Sequence, residues 1–221
     1  MQVHLAPSIL SADFMCLGDQ VEAIAAGGAD YLHFDVMDGL FVPSISFGMP
    51  VLKTVRKGTD LFLDVHLMID RPERYIKEFA EAGADGITFH FEATPDPMQV
   101  IRRIRDAGKR VGMAVKPATA PEAVREYLPH LDMILAMTVE PGFGGQDVLW
   151  PCVDKAAQFR HWIALSGLNC DVEVDGGVRS DNVARMCDAG VNVIVAGSAV
   201  FCGDVAGNTR SLLKTMKKYE S

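Results

Sequence analysis

Residues 31–43 read YLHFDVMDGLFVP. Apolar and polar side chains interleave in the first seven, and a Met-Asp-Gly turn follows. In a β-strand, alternate side chains share a face, so His33 and Asp35 project together. An imidazole beside a carboxylate is half of a metal site or half of an acid/base site. The other half is expected at His66, in FLDVHLM, and at Asp175, in DVEVDGG. Each of these ends an apolar run just before a turn. Three strand-like segments therefore finish in His or Asp, and where those ends meet decides the architecture.

Outward from that stretch, strand-like runs recur at 4–10, 61–67, 86–90, 110–115, 133–138, 170–175 and 191–196. Segments with helical spacing lie between them, at 17–26, 50–56, 72–81, 97–106, 121–127, 153–165, 182–188 and 210–219. Pro50, Pro72, Pro97 and Pro121 open four of these, as suits a first helical turn. Glycine follows several others, in AAGGAD, AEAGAD, RDAGKR and CDAGVN, which is helix-stop chemistry. The strands are mostly apolar on both faces, as buried parallel strands are. Short loops and right-handed crossovers leave an open doubly wound sheet or a closed (β/α)8 barrel. Eight regular units of about 25–30 residues favour the barrel, an α/β fold of the TIM type. No linker or low-complexity stretch interrupts 1–221, so one domain is expected.

Composition narrows the partners. The 221 residues are 49% hydrophobic and 23% charged, with a net charge of −8. That balance argues against a general affinity for nucleic acid or an anionic membrane. An anionic substrate then needs a local site of backbone N–H groups. No secretory leader and no run of about 18 apolar residues is visible, so neither export nor a membrane span is expected. Cys16, Cys152, Cys170, Cys187 and Cys202 are scattered and odd in number. They read as reduced thiols in a cytoplasmic protein.

In a barrel, chemistry sits at the C-terminal ends of the strands. His33, Asp35, His66, Asp175 and Ser8 all fall there. Two histidines and two carboxylates suit a borderline divalent cation such as Zn²⁺, Fe²⁺, Mn²⁺ or Co²⁺. The plain alternative is a hydrogen-bonded core histidine with Asp35 capping a turn. His90, in TFHFEAT, is the competing ligand, read here as a rim residue or one supporting the ligands. Two carboxylates flanking a substrate can remove a proton from one face of a carbon and return one to the other. A neighbouring carbonyl must acidify that carbon, and a cation can stabilise the enediolate. Met37, Met68 and Met137 near the same rim are core filler or a dry enclosure for a planar intermediate. Gly176, Gly177, Gly197 and Ser198 follow the last two strands, where many barrels bind phosphate through backbone N–H groups. The glycines of 141–145 allow close backbone approach and a loop that closes over a ligand.

The order APSILSADF, LHFDVMDGLFVP, DVHLMIDRPERYI, AGADGITFHFEAT, MTVEPGFGGQ, EVDGGV and VAGSAVF resembles the ribulose-phosphate 3-epimerase family over nearly the whole chain. Its HFEAT, KPAT and MTVEPGFGG wording is similar to eukaryotic-type members. The resemblance implies a phosphate-binding barrel with one divalent metal per subunit, zinc or iron, with manganese or cobalt as alternatives. By position, His33, Asp35, His66 and Asp175 are the implied ligands, and Asp35 and Asp175 the implied acid/base pair. Ser8, His66, Gly142, Phe143, Gly144, Gly145, Asp175, Gly176, Gly177, Gly197 and Ser198 are the implied substrate contacts. The implied reaction interconverts D-ribulose 5-phosphate and D-xylulose 5-phosphate in the pentose phosphate pathway. A homo-oligomer, taken as a homodimer, is the implied assembly.

Three positions depart from the family wording. Leu40 replaces a histidine, Ser44 an asparagine and Ala118 a glycine; none is a proposed ligand. The alternative with the same chemistry is a D-allulose-6-phosphate 3-epimerase. A lyase or decarboxylase on a related barrel is opposed by the lack of a lysine at the Asp35 and His66 strand ends. A sugar-phosphate sensor would not need the full ligand set.

Overall fold

The computed structural model describes residues 2–220. Eight parallel strands form one sheet: β1 His4–Pro7, β2 Tyr31–Met37, β3 Phe62–Met68, β4 Gly86–His90, β5 Arg110–Val115, β6 Met133–Met137, β7 Asp171–Asp175 and β8 Val193–Ala196. Their order is β1-β8-β7-β6-β5-β4-β3-β2. The two ends meet at one parallel bridge, Ser8 to His33, which makes the sheet a (β/α)8 TIM barrel. The helices are α1 Leu17–Gly27, α2 Met49–Arg56, α3 Ile76–Ala82, α4 Pro97–Asp106, α5 Trp150–Leu165, α6 Val183–Asp188, α7 Ser198–Phe201 and α8 Val205–Met216.

Alternation explains why the strands are buried on both faces. On β2, Leu32, Phe34 and Val36 join the large apolar layer between sheet and helices. Tyr31, His33, Asp35 and Met37 then point into the barrel. The interior is filled in layers. At the N-terminal end His4, Tyr31 and Phe62 stack with ring centroids 4.5 and 4.4 Å apart. Arg110 donates to the Tyr31 hydroxyl at 2.9 Å and to Asp171 at 2.6 Å, closing that end. Midway lie Asp64, Thr88 and Glu173, all wholly buried. Gly112 is needed there, because a Cβ would collide with the Thr88 side chain. The C-terminal end is left to the polar strand ends.

Most elements fall where the periodicity predicts them. The crossover at 121–127 does not: Pro121–His130 is a ten-residue 3-10 segment. Pro129 lacks an N–H and restricts Leu128 before it, so an α-helix cannot run through. The helix expected at 72–81 is likewise split into a 3-10 turn at Pro72–Arg74 and α3. The first strand stops at Pro7 rather than at 10. Ser8 instead caps the 3-10 turn Ile9–Ser11, its hydroxyl accepting from the Leu10 N–H. The last helix begins at Val205, capped by Asp204, five residues before the expected start. Among the described residues no helix is long and apolar enough to cross a membrane, and the five cysteines are unpaired.

Candidate functional site

The C-terminal rim gathers His33, Asp35, His66 and Asp175. One donor atom from each lies within 4.8 Å of the others. Strand register causes this: Asp35 of β2 stands beside His66 of β3, and Asp175 ends β7. The Asp35 Oδ1 lies 3.2 Å from His33 Nε2 and 3.1 Å from His66 Nδ1. Asp175 Oδ2 lies 3.8 Å from His66 Nδ1. Ser8 donates its hydroxyl to Asp35 Oδ2 at 2.5 Å. Both imidazoles are wholly buried and Asp175 is partly open.

These charges perturb one another. Burial alone would raise the Asp35 carboxyl, but the His33 and His66 imidazoles outweigh it and hold Asp35 well below the usual range. Asp175 goes the other way: burial, reinforced by the Asp35 charge, pushes it up to about 6. Burial alone would lower His33, yet Asp35 and Asp64 hold it well above its ordinary value. The donor set fits a divalent cation. Two imidazole nitrogens and two carboxylate oxygens converge from three strands, and the close carboxylates gain most from a positive charge between them.

A cavity opens above this cluster. Ser8, Asp35, Asp175, Met37, Met68 and Met137 line it, so the three methionines face the ligand space. His33 and His66 lie beneath the floor and do not line it. The cavity therefore reaches the cluster through the two aspartates. Gly142, Phe143, Gly144, Gly145, Gly176, Gly177, Gly197 and Ser198, from the loops after β6, β7 and β8, also line it. Gly176 adopts φ 121°, which an L side chain rarely reaches. Gln146 donates to the Glu140 and Phe143 carbonyls at 2.7 and 2.9 Å, tying the loop after β6 to itself.

Several participants escape a reading by motif. Asp64 accepts from His33 Nδ1 at 2.7 Å, wholly buried, so the other ring nitrogen faces Asp35. Glu173 lies beside this pair. Burial and the Asp64 charge push its carboxyl well above the usual range. His90 Nε2 sits 2.9 Å from His66 Nε2, and His90 Nδ1 sits 3.2 Å from Glu92 Oε2. His90, unlike the others here, is read from TFHFEAT as a rim or supporting residue; it stands behind His66 and lies outside the four-residue cluster. Arg179, after β7, also lines the cavity and pairs with Asp147 at 3.0 Å. Asp64 and Glu173 each precede a proposed ligand by two residues, a spacing that places them on the same inward face. Leu40, Ser44 and Ala118 do not line the cavity. Ala118 keeps an ordinary backbone: among described non-glycine residues only Arg71 has positive φ.

Residues 4–201 match the sequence profile of the Ribulose-phosphate 3 epimerase family. A ribulose-phosphate 3-epimerase of Mycobacterium bovis is 48% identical over 200 residues, covering 90% of this chain and 86% of the relative. The Treponema pallidum and Bacillus subtilis enzymes of that name are each 44% identical, covering 95% and 90% of this chain and 94% and 92% of their own. Among solved structures, KGPDC from Streptococcus mutans superposes with a TM-score of 0.77 over the full length of both chains, at 15% identity. That likeness concerns the fold alone. The sequence match over most of the chain means that the protein is an enzyme of the ribulose-phosphate 3-epimerase family.

Proposed function

We propose that this enzyme interconverts D-ribulose 5-phosphate and D-xylulose 5-phosphate, with Asp35 and Asp175 exchanging protons at carbon 3. The observation that supports it best is the pair of carboxylates themselves. They rise from β2 and β7 into one cavity that the glycine-rich loops after β6, β7 and β8 also line. The name carried by the relatives supplies the substrate.

The chain's residues divide the work. One aspartate takes the carbon 3 proton, and the other returns a proton to the opposite face, which inverts the centre. The species between them is a planar enediolate with charge on its oxygens. A divalent cation held by His33, Asp35, His66 and Asp175 would supply Lewis-acid stabilisation of that charge. Zinc and iron are the first expectation for that donor set, with manganese and cobalt also suited. Ser8, bonded to Asp35, fixes the carboxylate and meets the substrate. Met37, Met68 and Met137 exclude water from the planar species. Gly176, Gly177, Gly197 and Ser198 hold the phosphate by backbone N–H groups, and the loop 142–145 covers it. We further take 1–221 as one domain, working as a cytoplasmic homodimer. Exposed Leu40 and Ile45 on the loop after β2 support a partner copy.

The test is turnover of D-ribulose 5-phosphate in D₂O followed by NMR, with and without a strong chelator. The expected product is xylulose 5-phosphate deuterated at carbon 3, lost on chelation and lost in a folded Asp175→Asn variant. Epimer formed without deuterium, or normal turnover by that variant, overturns the two-aspartate reading. Light scattering on the eluted protein tests the dimer, and a monomer mass rejects it.

A further inference from the structure

Two imidazoles and a carboxylate run inward from the rim in one line. Glu92 Oε2 lies 3.2 Å from His90 Nδ1, and His90 Nε2 lies 2.9 Å from His66 Nε2. The remaining nitrogen of His66, Nδ1, faces Asp35 and Asp175. Both rings are wholly buried. Phe41 packs 4.8 Å from the His90 ring, and Lys116 Nζ sits 3.8 Å over Phe41, so the line is sealed from the loop side.

Proton counting fixes the tautomers along this line. An ionised carboxylate only accepts hydrogen bonds. Glu92 is ionised: hydrogen bonds from His90, the Thr119 hydroxyl and the Lys116 N–H outweigh burial and bring its carboxyl down to about 2, and its Oε1 accepts from that N–H at 2.8 Å and from that hydroxyl. His90 must therefore carry its proton on Nδ1 to satisfy Oε2. A neutral imidazole has one N–H, so His90 Nε2 is a lone pair. His66 Nε2 must then carry the proton that the two rings share. That leaves His66 Nδ1 as a lone pair, the form a metal ligand requires.

We propose that Glu92, acting through His90, is a positioning residue that fixes which nitrogen of His66 faces the cation. The inference rests on the four-residue metal reading above. It has a consequence that simple packing does not. In Glu92→Gln the amide oxygen stays with Lys116 N–H and Thr119, because that N–H can only donate. The amide NH₂ then faces His90 Nδ1 and demands a lone pair there. His90 must move its proton to Nε2, where it meets the Nε2–H of His66. The isosteric variant thus opposes the bound form, whereas Glu92→Ala only removes the restraint.

The experiment titrates Zn²⁺ into metal-free wild type, Glu92→Gln and Glu92→Ala in competition with a chromophoric chelator. Thermal melts of the metal-free proteins are measured beside it. Glu92→Gln should bind Zn²⁺ about 10–100-fold more weakly than wild type, the usual range for losing such support. Glu92→Ala should lose less affinity than Glu92→Gln yet melt lower, because it leaves three donors unpaired. A purely structural role predicts that Gln is milder in both measurements, and that result overturns the inference. Imidazole ¹⁵N NMR of the Zn²⁺-loaded wild type needs no variant. His90 protonated at Nδ1 supports the inference, and His90 protonated at Nε2 overturns it while the metal reading stands. A wild-type protein that binds no Zn²⁺ overturns the metal reading and the inference together.

Discussion

Glu92 carries a pH signature of its own. Burial alone would raise its carboxyl, but hydrogen bonds from His90, Thr119 and the Lys116 N–H outweigh that and bring it down to about 2. A carboxylate held below its unfolded value stabilises the fold where both states are ionised. That stability is fully present above an unfolded value of about 4.3 and is lost as pH falls through the folded value. The gap in chemical stability between wild type and Glu92→Ala should therefore be widest above pH ~5 and close toward pH ~2. Urea unfolding across that range measures it, and a gap that grows on acidification would refute the assignment. At this scale the sequence reveals some residues and hides others for a physical reason. His33, Asp35, His66 and Asp175 are visible because a polar residue at the end of an apolar strand has no structural motive. Asp64 and Glu173 have the same chemistry one layer deeper, inside their strands, where turn punctuation does not mark them. Their offset of two residues from His66 and Asp175 is the signal that identifies them. Glu92 has no such marker. Its role depends on Lys116 and Thr119, more than twenty residues away in the chain.

Elements carry the support further from the site. Helix α5 buries Lys155, whose ammonium donates to the carbonyls of Lys116 at 3.0 Å, Pro117 at 3.0 Å and Thr119 at 2.6 Å. These three bonds hold the loop after β5, and that loop supplies the two donors that hold Glu92. Methionine matches the length of lysine but donates nothing, so Lys155→Met leaves three carbonyls without their charged donor. The expected loss is about 2–5 kcal/mol of unfolding free energy: a fully buried group left unpaired costs about 1–3 kcal/mol, and because residues 116, 117 and 119 are only half-buried, water recovers part of the three-group sum. Urea denaturation reads this, and a loss below about 1 kcal/mol means that the loop holds itself. The helix itself is legible from its apolar spacing, but its lysine is not, because buried lysines are rare and look like surface residues in a sequence. The crossover before it shows the opposite failure. The residues 121–127 have helical spacing, but Pro129 blocks the α geometry downstream and the segment settles as 3-10. Periodicity reports which side chains are buried, and it does not report how tightly the backbone coils between them.

The whole barrel has a seam, and the candidate metal centre lies beside it. Seven strand pairs are joined by ladders, whereas β1 and β2 meet only at the bridge between Ser8 and His33. Ser8 adds its hydroxyl to Asp35 at the same point. The eightfold repeat makes the barrel legible in the sequence, but closure by a single bridge is a property of stagger and tilt that no local pattern encodes. A cation shared by β2, β3 and β7 would tie the seam strand β2 across the rim to β7, which the ladders from β2 reach only through β3, β4, β5 and β6. It would also bind the folded chain alone, because the four donors are scattered along the unfolded one. Ligand held by the native state alone stabilises it by about 2.7 kcal/mol at a concentration of 100 Kd. For a domain of this size that corresponds to a rise in Tm of about 5–10 °C. Zn²⁺ added to metal-free wild type should give that rise, and a chelator should reverse it. His66→Ala should remove the response, because the cation loses one of its two nitrogen donors. A wild-type response that survives in His66→Ala would place the cation elsewhere on the molecule, and β2 and β7 would then face each other across the rim with no metal link between them.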